Sequence, residues 1–379
     1  MIEADAFLEP ARERGFDFYS GVPCSFLTPF INRAIGHPKL QYVGAASEGE
    51  AVAISAGAWL AGKRSVVMCQ NSGLGNMVNP LTSLTYPFRI PILLITTWRG
   101  QPGQPDEPQH ELMGRITGRL LDDMEIPHRP FPKEASAIPK LLEKADRAMT
   151  ASERPFAFIM EKGAVRNDGL VQPGRTLPVP GTRHDFCVAG ERPTRSEALV
   201  AFLDLVDENA AVITTTGKCG RELFTLADRK QHLYQVGSMG CASGLGLGVA
   251  LNVERPVVVL DGDGAALMKM GTLATVGAYA PKNLLHVLLD NATHDSTGGQ
   301  ATVSESVDFA AIALACGYAH AFAVDTLEGF RAAFPEAASH AGPTLLHLRM
   351  RPGSMEKLGR PTVTPADVAR RFRAFLTQA

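Results

Sequence analysis

The sequence predicts an α/β protein of two similar domains, each a mostly parallel sheet flanked by helices. Three observations lead there. Short β-rich runs alternate with longer Ala-rich amphipathic stretches along the chain, as βαβ units on a parallel sheet require. The stretch from Lys162 to Pro193 interrupts that alternation with Gly163, Gly169, Pro173, Gly174, Pro178, Pro180, Gly181 and Gly190, and carries no periodicity. The segments on its two sides also answer each other at offsets near 192: SVVMCQNSG (65–73) matches VVVLDGDGA (257–265), and PILLIT (91–96) matches LLHVLL (284–289).

Taken in order, MIEADAFLEPARERG reads as an acidic amphipathic helix, without the basic start and apolar core of a signal peptide. Strands are predicted at Phe16–Ser20, Gln41–Ala45, Ser65–Cys69, Ile90–Thr96 and Phe156–Met160. A second set follows at Ala211–Thr214, His232–Gln235, Pro256–Leu260, Leu284–Leu289, His320–Val324 and Thr344–Leu348. A chain of 379 residues exceeds one ordinary domain of about 100 to 200 residues. The expected boundaries are a first domain over 1–165, a linker over 166–193 and a second domain over 194–379.

Lys and Arg number 37 against 39 Asp and Glu, a net charge of −2 without long basic runs, which argues against nucleic acid or a membrane surface as partner. No uncharged stretch is long enough to span a bilayer. Cys24, Cys69, Cys187, Cys219, Cys241 and Cys316 are scattered without a C-x-x-C pair. That pattern argues against a zinc site, an iron–sulfur cluster or a disulfide framework, and makes a reducing cytoplasm the expected setting.

The strongest chemical signal is VVVLDGDGAALMKM, a buried strand running into Asp261, Gly262, Asp263, Gly264 and Ala265 at a helix start. Backbone amides there can receive a phosphate, and glycine lets the backbone approach it. A second strand, LLHVLLDN, ends at Asn291, 28 positions after Asp263 (291 − 263). One strand–helix–strand crossover takes about that length, so both polar residues should emerge at the carboxyl ends of neighbouring strands. A carboxylate and an amide oxygen form a hard donor set suited to magnesium carrying a diphosphate. By itself G-D-G is an ordinary βα turn; the crossover spacing to Asn291 favours the metal reading.

Gly262-Asp263-Gly264 with Asn291 resembles the signature of thiamine diphosphate enzymes. The resemblance implies two thiamine diphosphate-binding domains, 1–165 for the pyrimidine and 194–379 for the diphosphate. It implies magnesium held by Asp263, Asn291 and the carbonyl of Thr293. The family has Asn-Asn and then Gly where this chain has Asp290-Asn291 and Thr293.

Other segments agree. YVGAASEGEAVAISAGAWLAGK resembles the family segment in which a Glu ends a strand and Gly follows nine positions later; Glu48 reaches Gly57, whereas Glu50 reaches Trp59. Glu48 is therefore the expected catalytic residue, tuning the cofactor's own base through the pyrimidine ring. Glu50 reads as an acidic residue favoured in a first helical turn. Gly237-Ser238-Met239-Gly240 resembles the loop that shapes the cofactor, with Met239 as an apolar wedge and the Gly237 carbonyl as an acceptor. The segment from Gln70 to Asn76, with Gly73, looks like the loop beneath the pyrimidine, and Thr215-Thr216-Gly217 like a diphosphate loop.

Glu48 precedes the diphosphate motif, the order of the decarboxylases, and the linker is too short for the extra domain that acetolactate synthase and pyruvate decarboxylase relatives carry. Gly21-Val22-Pro23-Cys24-Ser25 and the run Asp290 to Thr302 resemble the decarboxylases of phosphonopyruvate, with those of sulfopyruvate as relatives. The resemblance implies loss of carbon dioxide from a small 2-oxo acid with a phosphonate or sulfonate tail, and release of phosphonoacetaldehyde from phosphonopyruvate. A noncatalytic thiamine-fold subunit is the other reading, disfavoured because one chain holds both Glu48 and the metal residues. For the tail the polar loop residues are Ser25, Arg99, His110, Lys218, His294 and Gln300, with Ser25, His110 and His294 preferred. The resemblance further implies a homodimer or higher homo-oligomer with active sites between chains.

Overall fold

The strand-forming runs and the helices between them assemble into two units, Met1–Thr176 and Leu177–Ala379. The structure is a computed structural model and describes residues 1–167, 169–172, 174 and 179–378. Pro173 and Pro178 of the expected linker lie outside the described residues.

In the first unit β1 (Phe16–Gly21), β2 (Gln41–Gly44), β3 (Arg64–Cys69), β4 (Leu93–Thr97), β5 (His128–Pro130) and β6 (Phe156–Met160) form one sheet. Its order is β2-β1-β3-β4-β6-β5, and every pairing is parallel. Helices cover both faces, so β4 and β6 are buried at every position: β6 is apolar throughout, and β4 is apolar until its two buried threonines, Thr96 and Thr97. On one face Phe7 stacks on Phe131 at 4.9 Å and meets Phe30 and Phe158 edge-on. Each such buried side chain contributes about 1.5–3 kcal/mol.

The second unit holds β7 (Thr182–Phe186), β8 (Ala211–Thr214), β9 (His232–Tyr234), β10 (Val257–Gly262), β11 (Leu284–Asp290), β14 (His320–Val324) and β15 (Thr344–Arg349), with the hairpin β12 (Thr293–His294) and β13 (Gln300–Ala301) beyond β11. The seven-stranded sheet is parallel throughout, in the order β7-β14-β15-β11-β10-β8-β9. The helix Arg195–Leu205 is fixed by a capping box, Thr194 accepting from Glu197 N and Glu197 from Thr194 N.

Each strand predicted from the sequence is present. The expected start of β4 at Ile90 moves to Leu93, because Pro91 has no N–H for the ladder. The linker over 166–193 needs a correction: Thr182–Phe186 within it is an edge strand, paired with β14 from Thr182↔His320 to Phe186↔Val324. Backbone hydrogen bonds hold it and none of its residues is fully buried, so it shows no apolar period. Among the described residues no helix is long and apolar enough to cross a membrane, and the six cysteines are unpaired.

Candidate active site

Strands β10 and β11 run in register from Val257↔Leu284 to Gly262↔Leu289, so Asp263 and Asp290 leave the sheet side by side. Asp263 opens the helix Asp263–Met268, and Asn291 follows β11 directly. A pocket forms at this carboxyl edge, where parallel sheets place their ligands. Its wall includes Thr215, Thr216, Gly217, Lys218, Met239, Gly262, Asp263, Gly264, Ala265, Asn291, Thr293 and His294. The structure therefore brings the expected metal residues, most of the expected diphosphate residues and His294 to one place. Gly237 and Ser238 are not on that wall; they lead into Met239, with Ser238 in the left-handed region at φ 57° and its carbonyl accepting from Gln235 Nε2 at 2.7 Å.

The acidic groups differ in their surroundings. Burial pushes the Asp263 carboxyl above the usual carboxylate range, Asp290 adds to that, and a hydrogen bond from Thr302 Oγ1 opposes it. Burial would raise Asp290 as well, but His347 at 2.8 Å and Ser304 Oγ at 2.8 Å hold it below its usual value. Asn291 is fixed on both sides: Thr293 N donates to its Oδ1 at 3.2 Å and its Nδ2 donates to Asp295 Oδ2 at 2.7 Å.

Asp295 also accepts from Thr293 Oγ1 at 2.9 Å and from Arg195 Nη2 at 2.9 Å. Arg195 in turn meets the fully buried Glu222 at 3.3 Å. Sequence reasoning missed Arg195, Glu222 and the role of Asp295. A residue a hundred positions away from its partner leaves no spacing signal.

The pocket fits a metal-bound diphosphate. A Cβ on Gly264 would stand 2.8 Å from His294 Cε1 and 3.1 Å from the Met239 methyl, so glycine alone leaves both side chains at the wall. The Thr215 hydroxyl is buried there without a hydrogen-bond partner. Gly217, at φ 92°, precedes the helix Lys218–Leu226, whose first N–H groups lack helical acceptors. Asp263 and Asn291 offer the oxygen donors that a hard divalent cation takes. Lys218 Nζ is bonded to Ser354 Oγ at 2.9 Å, while Gln300 is exposed and bonded within its own turn to Thr297.

In the first unit Glu48 begins the helix Glu48–Leu60, capped by Ser47. Its Oε2 accepts from Asn76 Nδ2 at 2.8 Å. A Cβ on Gly73 would fall 2.5 Å from Glu48 Oε1, so the carboxylate occupies the space that this glycine leaves. Glu50 is buried in the first turn, the position expected of it, and also accepts from Ala46 N at 2.8 Å. Ser25 is exposed and accepts from Arg99 Nη1 at 3.1 Å, and Arg99 is further engaged by Asp106. The loop before His110 is exposed, but His110 itself is buried, with Nδ1 unpartnered.

Comparison with known proteins adds three findings. The family described as thiamine pyrophosphate enzyme, N-terminal TPP binding domain, matches residues 2–124, and the corresponding C-terminal TPP binding domain matches residues 215–348. Among curated proteins, the phosphonopyruvate decarboxylase of Streptomyces viridochromogenes is 51% identical over 100% of this chain and 96% of its own, and that of Streptomyces hygroscopicus 47% identical over 100% and 95%. Among solved structures, the thiamine diphosphate-dependent 4-hydroxybenzoylformate decarboxylase of Rhodococcus jostii RHA1 shares the fold with a TM-score of 0.71 at 14% identity, covering 94% of this chain and 100% of that one.

Proposed function

The chain belongs to the thiamine pyrophosphate enzyme family, and from that premise we propose that it catalyses the nonoxidative decarboxylation of 3-phosphonopyruvate to phosphonoacetaldehyde and carbon dioxide with thiamine diphosphate and magnesium. The observation that carries the substrate is the 51% and 47% identity, along the whole chain, to two phosphonopyruvate decarboxylases.

When bound, thiamine diphosphate supplies a carbon nucleophile and an electron sink for the pair left behind by carbon dioxide. The residues have separate tasks in this reading. Asp263, Asn291 and the Thr293 carbonyl hold the magnesium, whose charge a diphosphate requires nearby. Thr216, Gly217, Gly262, Gly264 and Ala265 receive the diphosphate, with the Thr215 hydroxyl as a further donor. Gly237, Ser238 and Met239 shape the cofactor's seat. Glu48, seated against Gly73, holds a proton at the pyrimidine ring and so acts on the chemistry without touching the substrate's carboxylate. Ser25, His110 and His294 supply donors for the phosphonate tail. The six unpaired cysteines suit a reducing cytoplasm.

Incubation with 3-phosphonopyruvate, sulfopyruvate and pyruvate, each with and without thiamine diphosphate and magnesium, tests the reading. Aldehyde release fastest from phosphonopyruvate and dependent on both additions is the expected result. Faster release from sulfopyruvate would reassign the substrate. The proposal includes an active unit of at least two chains. Glu48→Gln and Asp263→Ala proteins, each inactive, should regain activity on subunit exchange, and exchange without recovery would contradict a site built between chains.

A further inference from the structure

Away from the pocket, the second unit gathers three histidines. His184 in β7, His320 at the start of β14 and His340 just after the helix Leu327–Ser339 each present a ring nitrogen within 4.8 Å of the other two. Among the described residues this is the one group of His, Cys, Asp or Glu side chains with that geometry. The topology places them there. In the parallel pair β7·β14, His320 lies opposite Thr182 and His184 opposite Phe322, so the two imidazoles project from the same face as diagonal neighbours. His320 stands where β14 enters the sheet, whereas the pocket forms where β10 and β11 leave it. The cluster therefore lies toward the opposite end of the sheet.

The distances suit shared coordination. His184 Nε2 and His320 Nδ1 are 3.2 Å apart, close to the ~3.4 Å between two nitrogens on a tetrahedral ion with bonds of about 2.1 Å. His340 lies over His320 with ring centroids 4.0 Å apart, and its Nε2 is enclosed without a hydrogen-bond partner. The His184 side chain is 18% exposed and held flat against the Phe322 ring at 4.2 Å, whereas the 32% exposed His340 has the greater freedom to turn toward a common point. Glu336, in the last turn of the same helix, places Oε1 3.4 Å from His184 Nδ1 and 4.0 Å from His340 Nε2. A carboxylate behind a ring nitrogen is the arrangement that fixes the tautomer of a metal-bound histidine.

We propose that His184, His320 and His340 form a binding site for a four-coordinate divalent cation of zinc type, with Glu336 orienting His184 and water completing the shell. Three imidazole nitrogens select against magnesium and calcium, which take oxygen donors. This cation is therefore chemically distinct from the one assigned to Asp263 and Asn291. It would clip the edge strand β7 to β14 and to the end of the helix Leu327–Ser339, stabilising a strand whose own side chains bury little.

Zinc alone, titrated calorimetrically into the full chain in the presence of saturating magnesium and thiamine diphosphate, is the test. One zinc per chain at micromolar affinity or tighter is expected, with a loss of at least about tenfold in His184→Ala and His320→Ala. The same zinc affinity should persist in Asp263→Ala, which leaves the cluster intact. Thermal unfolding of the wild-type protein should shift upward by several degrees with zinc. X-ray absorption of the wild-type zinc complex covers the case in which a histidine variant fails to fold: a shell with about three imidazole nitrogens is expected. An oxygen-only shell, or zinc held equally by the wild-type and both histidine variants, would overturn the proposal and leave His184 and His320 as a hydrogen-bonded pair.

Discussion

The Asn291 side-chain amide donates to Asp295 Oδ2 at 2.7 Å, and the same oxygen accepts from the Arg195 guanidinium at 2.9 Å. Asp295 thereby sets which way the Asn291 carbonyl oxygen faces. If Asn291 holds magnesium as proposed, removing such a partner behind it should cost about tenfold to a hundredfold in metal affinity. Asp295→Ala should therefore raise the magnesium concentration for half-maximal cofactor binding by about that factor. An unchanged half-saturation would mean that Thr293 N alone orients Asn291.

Arg195 has a separate structural task. Replacing it with Met leaves the fully buried Glu222 carboxylate with only the weaker donors Ser196 Oγ and Met355 N, each at 3.3 Å. An uncompensated buried charge costs roughly 3–5 kcal/mol. The chemical-unfolding midpoint of Arg195→Met should fall accordingly, and Arg195→Met with Glu222→Leu should recover much of the loss, since the pair is then removed together.

Glu48 and Gly73 should fail in the same way. Glu48→Gln keeps the size of the side chain but cannot supply the proton, so a loss of about a hundredfold or more in turnover is expected with cofactor still bound. In Gly73→Ala the new methyl takes the space of the Glu48 carboxylate. Turnover should drop while circular dichroism and cofactor affinity stay near wild type. Near wild-type turnover in both proteins would remove Glu48 from the chemistry.

His232 governs part of the acid stability. It is buried, and burial lowers its pKa from 6.5 to about 4, Arg229 adding to the effect and Asp228 opposing it. Its Nδ1 lies 3.2 Å from the Tyr234 hydroxyl, which donates to Asp228. The unfolded chain takes up the proton near pH 6.5 and the folded chain does not until about pH 4. Stability should therefore decline as pH falls across that window, by at most about 1.4 kcal/mol per pH unit, and level off below it. Urea midpoints measured from pH 7 to 4.5 should show a shallower decline in His232→Gln than in wild type.

The sheets were legible because a strand buried on both faces is a nearly continuous apolar run, as Val257–Leu260 is and as Leu284–Leu289 is apart from the buried His286. The placement of Asp263 and Asn291 on one pocket wall was legible from one crossover length and from the polar residues that end the two strands. Arg195, Glu222 and Asp295 were not, because a buried ion network joins residues by tertiary proximity alone. The histidine cluster was hidden for the same reason: His184 and His320 are 136 positions apart. Strand β7 escaped because TRHDF has no apolar alternation and is defined by the neighbour it pairs with.

That edge strand also decides where the protein can be cut. A fragment beginning at residue 194, at the capping box, would omit β7 and leave the outer edge of β14 with unpaired N–H and C=O groups along His320–Val324. An open, apolar edge of this kind is a template for other chains. Such a fragment should self-associate, whereas one starting ahead of Thr182 carries its own edge cover. The polar residues of β7 thus act as a solubility device, and the stretch that looks most dispensable in the sequence is the one a truncation must retain.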